Sequence, residues 1–112
     1  MSRLAAVLML LASCASPPPV ELTDHEKHVL RAGAESPDVD QGDEAFRSAA
    51  GAERSGDADG ALKNFAAARS HYLQAQLSYT GLASVPAPLL DRVKECVVRI
   101  AALQRQRHAT PK

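Results

Sequence analysis

His25 and His28 stand three residues apart, with Glu21 and Asp24 before them, so these four side chains able to ligate a cation could crowd one side of a helix. On a helix, residues three and four apart share a face. Two imidazoles and a carboxylate are a zinc-compatible set. A closed site needs four ligands, however, and no further His or Cys lies nearby. His25 and His28 are therefore weak metal candidates, and exposed helix residues that favour solubility are the simpler reading. Nucleophilic catalysis requires a Ser or Cys held beside a His and an orienting acid. His71 is followed directly by Tyr72, and no Gly-flanked Ser turn exists to present a nucleophile. Gly56 and Gly60 lack the Lys-Ser or Lys-Thr that completes a phosphate-cradling loop. The expectation is a chain with no enzymatic activity, no catalytic residues and no dissociable cofactor.

Two cysteines, Cys14 and Cys96, offer no disulfide framework. Cys96 falls on an apolar helical phase and reads as a buried, inert thiol, with a reactive or intermolecular thiol as the alternative. Cys14 differs because of what precedes it. Arg3 supplies one positive charge, residues 4–11 form an uninterrupted apolar run, and Leu11-Ala12-Ser13-Cys14 closes it. The run is far shorter than the roughly 20 residues that span a bilayer, and it has the layout of a secretory signal. The order Leu, Ala, Ser, Cys resembles the lipobox of bacterial lipoproteins at every position. That resemblance implies removal of residues 1–13, covalent diacylglycerol on the Cys14 thiol and an N-acyl lipid, palmitate for example, on its freed amine. It further implies a partner in the membrane itself, reached through the anchor. Ala15, in place of the Asp that retains lipoproteins at the inner membrane, implies outer-membrane sorting with the domain facing the periplasm. Taken alone, the residues also fit an ordinary signal cut near Ala15, or an apolar cytosolic N-terminus.

Residues 14–22 read as a tether, because Pro17-Pro18-Pro19 favours extended polyproline geometry. At about 3.1 Å per residue it holds a domain roughly 25 Å from the anchor. The remainder divides into a helical domain, 23–108, and a short tail, 109–112. Without residues 1–13 the chain carries 12 Lys and Arg against 13 Asp and Glu, a balance that does not call for nucleic acid. The distribution is uneven: residues 20–60 hold 11 acidic and 4 basic side chains, whereas residues 61–112 hold 2 and 8. Complementary packing of the two halves accounts for this. The sharper alternative is a basic partner surface formed by Arg92, Lys94, Arg99, Arg105 and Arg107, on a helix whose Asp91, Arg92, Lys94, Glu95 and Arg99 are expected to face water.

The elements that must carry these residues are helices. Thr23 and Glu26 form a capping-box pattern for a first helix running towards Ala34 and stopped by Pro37. An acidic connection, 38–43, leads to a second helix over 43–54, ended by Ser55-Gly56. A third begins after Asp57 and runs to Tyr79. On it Ala61, Phe65, Ala68, Tyr72, Ala75 and Tyr79 draw one apolar stripe, and Leu62, Ala66, Leu73 and Leu77 a second. Two stripes predict a helix sandwiched between neighbours, the second helix on one side and the fourth on the other. The fourth opens near Pro88 and continues to Arg107, with Leu89, Val93, Cys96, Ile100 and Leu103 inward. No segment alternates with period two, so the expected fold is all-α, a small bundle of three to four helices built around an antiparallel hairpin.

Residues 43–73 resemble a single tetratricopeptide repeat, through Ala45 and Ala49, then Gly56-Asp57, then Ala61, Phe65 and Ala68. The resemblance implies a helical hairpin with small residues where the helices cross. The sequence departs from that pattern in lacking an aromatic-Leu-Gly signature, in carrying Ala52 where Tyr is common and in placing Leu73 where Pro closes the repeat. Anchor, tether and hairpin together point to a membrane-anchored interaction module, an accessory or assembly factor of an envelope, secretion or pilus complex that binds an envelope protein. A structural or stress-related envelope lipoprotein is one alternative. A metal-binding periplasmic protein using His25 and His28 is another.

Overall fold

The computed structural model describes residues 21–31 and 36–109. The signal segment 1–13, Cys14, the prolines of the tether, Ala34 and residues 110–112 lie outside them. The described chain forms four helices: α1, Asp24–Val29; α2, Pro37–Arg54; α3, Ala58–Gln76; and α4, Ala87–Ala109, with a single 3₁₀ turn, Leu82–Ser84, between the last two. No strand occurs among the described residues, so the protein is a small all-α bundle.

Local chemistry fixes each start. Thr23 Oγ1 accepts from the Glu26 amide at 3.2 Å and Glu26 Oε1 accepts from the Thr23 amide at 2.9 Å, which is the capping box expected for α1. α1 is shorter than expected and ends at Val29, well before Pro37. Pro37 begins a helix instead of stopping one. Ser36 caps α2 by accepting from the Val39 amide at 3.2 Å, and Pro37 sits in the first turn, where its missing N–H costs nothing. Asp38 and Asp40, expected in a connecting loop, are first-turn acids favourable to the helix dipole. α2 therefore starts six residues before the expected Asp43. At the α2–α3 corner Gly56 takes φ +84°, the left-handed conformation that L side chains rarely adopt, and Asp57 caps α3 through the Gly60 amide at 2.9 Å.

α2 and α3 pack as an antiparallel pair, and α4 packs along α3. Ala49, Ala61 and Ala68 are fully buried, so the helices come close with little side chain between them. Phe46 and Phe65 fill the remaining space edge to face, with ring centroids 5.4 Å apart at 80°. Tyr72, Leu89 and Cys96 complete a core drawn from α2, α3 and α4. α1 lies across α4 and contributes Val29.

The second stripe of α3 is only partly covered. α3 ends at Gln76, three residues before the expected Tyr79, leaving Leu77 in a turn and 75% exposed, with Leu73 exposed above it. The expected sandwich holds for Leu62 but not for the C-terminal end of α3.

Tyr72 lies flat against Gly42 on α2. A Cβ added there would fall 2.5 Å from Tyr72 Cε1. Gly42→Ala gains at most about 1 kcal/mol of helix propensity and forfeits about 1–3 kcal/mol by overpacking. A urea titration is expected to show a lower unfolding midpoint than wild type. An unchanged or raised midpoint would show that the ring yields.

Candidate functional site

α1, α2 and α4 each place one charged residue on the buried phase, Glu26, Asp43 and Arg92, and α3 places Tyr72 there. On α2, Val39, Asp43, Phe46 and Ala50 face inward at steps of four and three; on α4, Leu89, Arg92, Cys96 and Leu103 do so. Arg92 is 3% exposed. Its Nε donates to Asp43 Oδ1 at 2.9 Å and its Nη2 to Asp43 Oδ2 at 3.3 Å, so the guanidinium grips both carboxylate oxygens. Tyr72 donates its hydroxyl to Asp43 Oδ1 at 2.6 Å. α2, α3 and α4 are thereby joined at one point. Arg92 Nη2 also donates to the Arg31 carbonyl at 2.9 Å, tying in the exit of α1. Burial and the hydrogen bond to Asp43 push the Tyr72 hydroxyl far above its ordinary range, which keeps it a donor at any physiological pH.

A second polar cluster lies between α1, α2 and α4. Glu26, 1% exposed, is paired to Arg54 of α2 through Oε1 and to Arg99 of α4 through Oε2, the latter at 3.3 Å. Arg99 also donates to Glu53 at 2.6 Å and to Glu95 at 2.8 Å, and its guanidinium carbon lies 6.0 Å from the centre of the Phe65 ring. Burial alone would raise the Glu26 pKa, but the Thr23 amide and the charges of Arg54 and Arg99 outweigh it and hold the carboxyl below its usual value. Burial likewise disfavours charge on Arg99, while Glu95, Glu53 and Glu26 more than compensate.

The partner surface expected on α4 is therefore divided. Arg92 and Arg99, expected to face water, are drawn inward because α2 and α1 present carboxylates on matching buried phases. Lys94, Arg105 and Arg107 are exposed, and Arg107 Nη1 lies 3.2 Å from Asp59 of α3. Outward on α4 between Lys94 and Arg105 stand Val97 and Val98, 47% and 51% exposed. His25 Nε2 lies 3.1 Å from Glu95 Oε1, and His28 Nε2 accepts from Arg31 Nη1 at 2.7 Å. The two histidines line a shallow groove of about 250 Å³ with Val29, Asp91, Lys94, Glu95 and Val98. Among the described residues no group of three or more His, Cys, Asp or Glu is placed to hold a metal ion. Cys96 is buried, and burial pushes its thiol up to about 12, so it stays protonated and unreactive at neutral pH. Cys14 lies outside the described residues.

Asp43, Tyr72 and Glu26 carry the polar architecture, and sequence reasoning passed over them as network members. A signal existed: each sits at a three- or four-residue step from apolar neighbours, and so do Arg92 and Arg99. Asp43→Ala strands a buried guanidinium and is expected to cost about 3–5 kcal/mol. Tyr72→Phe removes one hydrogen bond and leaves the ion pair, with an expected cost of about 1–2 kcal/mol. Chemical denaturation of both variants checks the order, and equal losses would show that the hydroxyl, not the ion pair, organises the site.

Comparison with protein-family models, with curated proteins and with solved structures finds no match to this chain.

Proposed function

We propose that the chain is a bacterial envelope lipoprotein whose acylated Cys14 holds the bundle at the membrane and whose outer α4 face docks an envelope protein. The observation that carries this reading is the order Leu11-Ala12-Ser13-Cys14 at the end of the apolar run 4–11. Two acyl signals on one residue suffice for stable anchoring, since each buried methylene contributes about 0.8 kcal/mol. Among the described residues no helix is long and apolar enough to cross a membrane. Ala15 favours the outer membrane, with the bundle facing the periplasm. The α2–α3 hairpin, with its buried alanines and its left-handed Gly56, is compatible with a tetratricopeptide-type unit serving as an interaction scaffold.

The docking half of the proposal rests on α4. With Arg92 and Arg99 committed to internal carboxylates, the face left for a partner is Lys94, Val97, Val98 and Arg105. Two half-exposed valines between two cations suit a partner surface that is apolar at its centre and acidic at its rim. The role that fits is an accessory or assembly factor of an envelope, secretion or pilus complex.

Metabolic palmitate labelling with intact mass tests the anchor: wild type is expected to carry the label and Cys14→Ser to lose it. Label that persists in the variant, or never enters wild type, rejects the lipoprotein reading. For the docking face, a photo-crosslinking residue at Val98 of the lipidated protein is expected to give a discrete adduct that Lys94→Glu with Arg105→Glu abolishes. No adduct, or the same adduct from a probe at exposed Glu44 on α2, rejects that face.

A further inference from the structure

α1 holds to the rest of the molecule in a way no other helix does. It has six residues, far too few to be stable alone, so it is helical only while docked. Its buried side chains are Val29 and Glu26. The largest fully buried side chains besides Glu26 are Tyr72, Phe46, Phe65, Leu89 and Cys96, all from α2, α3 and α4. The Asp43–Arg92–Tyr72 cluster also closes without α1, and the segment after α1 adds only the Arg31 carbonyl. Apart from Val29, and the adjoining Leu30 packed against the cluster, the core is thus built by residues outside α1.

What holds α1 down is chiefly charge. Glu26 meets Arg54 on one side and Arg99 on the other, His25 faces Glu95, and Arg31 Nη2 donates to Asp91 at 3.0 Å. The His25 and Arg31 pairs are substantially exposed and contribute little. Glu26 is different, because it is buried between two guanidiniums: neutralising it takes from Arg54 the carboxylate it is paired to and loosens Arg99, which keeps Glu53 and Glu95. We propose that α1 is a releasable strap, latched by Glu26, which lifts off the α2–α4 bundle as a unit when that carboxylate loses its charge.

The surroundings of Glu26 set the direction of the response. α2 presents Arg54 and Glu53, α4 presents Arg99 and Glu95, α3 presents the Phe65 ring behind Arg99, and α1 itself adds Asp24, His25 and Lys27. The folded Glu26 carboxyl titrates below its ordinary value. Its contribution to docking is therefore complete above the usual glutamate range and is lost as pH falls through the lower, folded value. Acid opens the strap. Opening unpairs Arg54, which is already exposed, and uncovers the slot filled by Val29, beside the same α4 segment that carries Lys94 and Val98.

Amide exchange on the full chain, resolved residue by residue by NMR, tests this. The Lys27 amide donates to the Thr23 carbonyl at 2.9 Å and the Leu30 amide to the Glu26 carbonyl at 3.0 Å, and both lose protection only when α1 opens. In wild type at neutral pH these amides are expected to be protected, but less than those of Phe65 and Tyr72. Glu26→Gln should accelerate their exchange about tenfold or more while leaving Phe65 and Tyr72 unchanged. Lowering the pH on wild type should reproduce the effect after correction for intrinsic exchange rates. Equal protection of α1 and core, absence of α1 protection in wild type, no response to Glu26→Gln, or loss of core protection together with α1 each overturns the proposal.

Discussion

Three helices meet where Arg92 grips Asp43 and Tyr72 donates to the same carboxylate, and the remaining packing is arranged around that point. A buried guanidinium tolerates few positions, because its carboxylate must lie in its own plane at hydrogen-bond distance. That requirement fixes the rotation of α4 about its axis and its height against α2. Tyr72 reaches Asp43 only because Gly42 removes the side chain that would stand in the way of the ring. A small core of alanines would otherwise permit several helix registers of nearly equal energy. The ion pair selects one of them, a use of buried charge that concerns specificity more than net stability. The Nη1 of Arg92 has no partner among the described residues, which limits what the interaction adds to stability.

The imbalance between an acidic first half and a basic second half finds its account inside the fold. Asp43 with Arg92, Glu26 and Glu53 with Arg99, and Asp59 with Arg107 all join the acidic half to the basic one. A sequence can carry such an asymmetry for two reasons, an external partner or an internal one, and composition alone does not distinguish them. Burial does. Arg92 and Arg99 are consumed internally, and the cations left outward on α4 are fewer and are interleaved with valines.

Helix number, the α2–α3 corner and the inward stripe of α3 were legible because each rests on local rules. These are the capping box at Thr23, the Gly-Asp pair at 56–57, and the four-three spacing from Ala61 to Ala75. The start of α2 was not, since Pro37 after a helical segment reads equally as a stop for one helix or the first turn of the next. Ser36 decides between them through a hydrogen bond that only the folded chain displays. The inward turn of Arg92 and Arg99 was missed for a related reason. A charged residue on an apolar phase reads as an exception until its partner is known, and here Asp43 lies 49 residues from Arg92 and Glu26 lies 73 from Arg99.

The position of α1 gives its weak attachment a consequence. It is the first helix of the described chain. If Cys14 is anchored as proposed, the route from the membrane to the core passes through Thr23, Glu26 and Val29 in that order. Pulling on a helix held by Val29 and the adjoining Leu30, by Glu26 and by the outer His25 and Arg31 pairs opens it before it disturbs Phe46, Phe65 or Tyr72, since local openings draw on the least stable contacts first. An anchored Cys14 would thus reach the bundle through an element that can yield. The α4 segment lined by Asp91, Lys94, Glu95 and Val98, which forms one wall of the groove under α1, is where that yielding changes the surface offered to a partner.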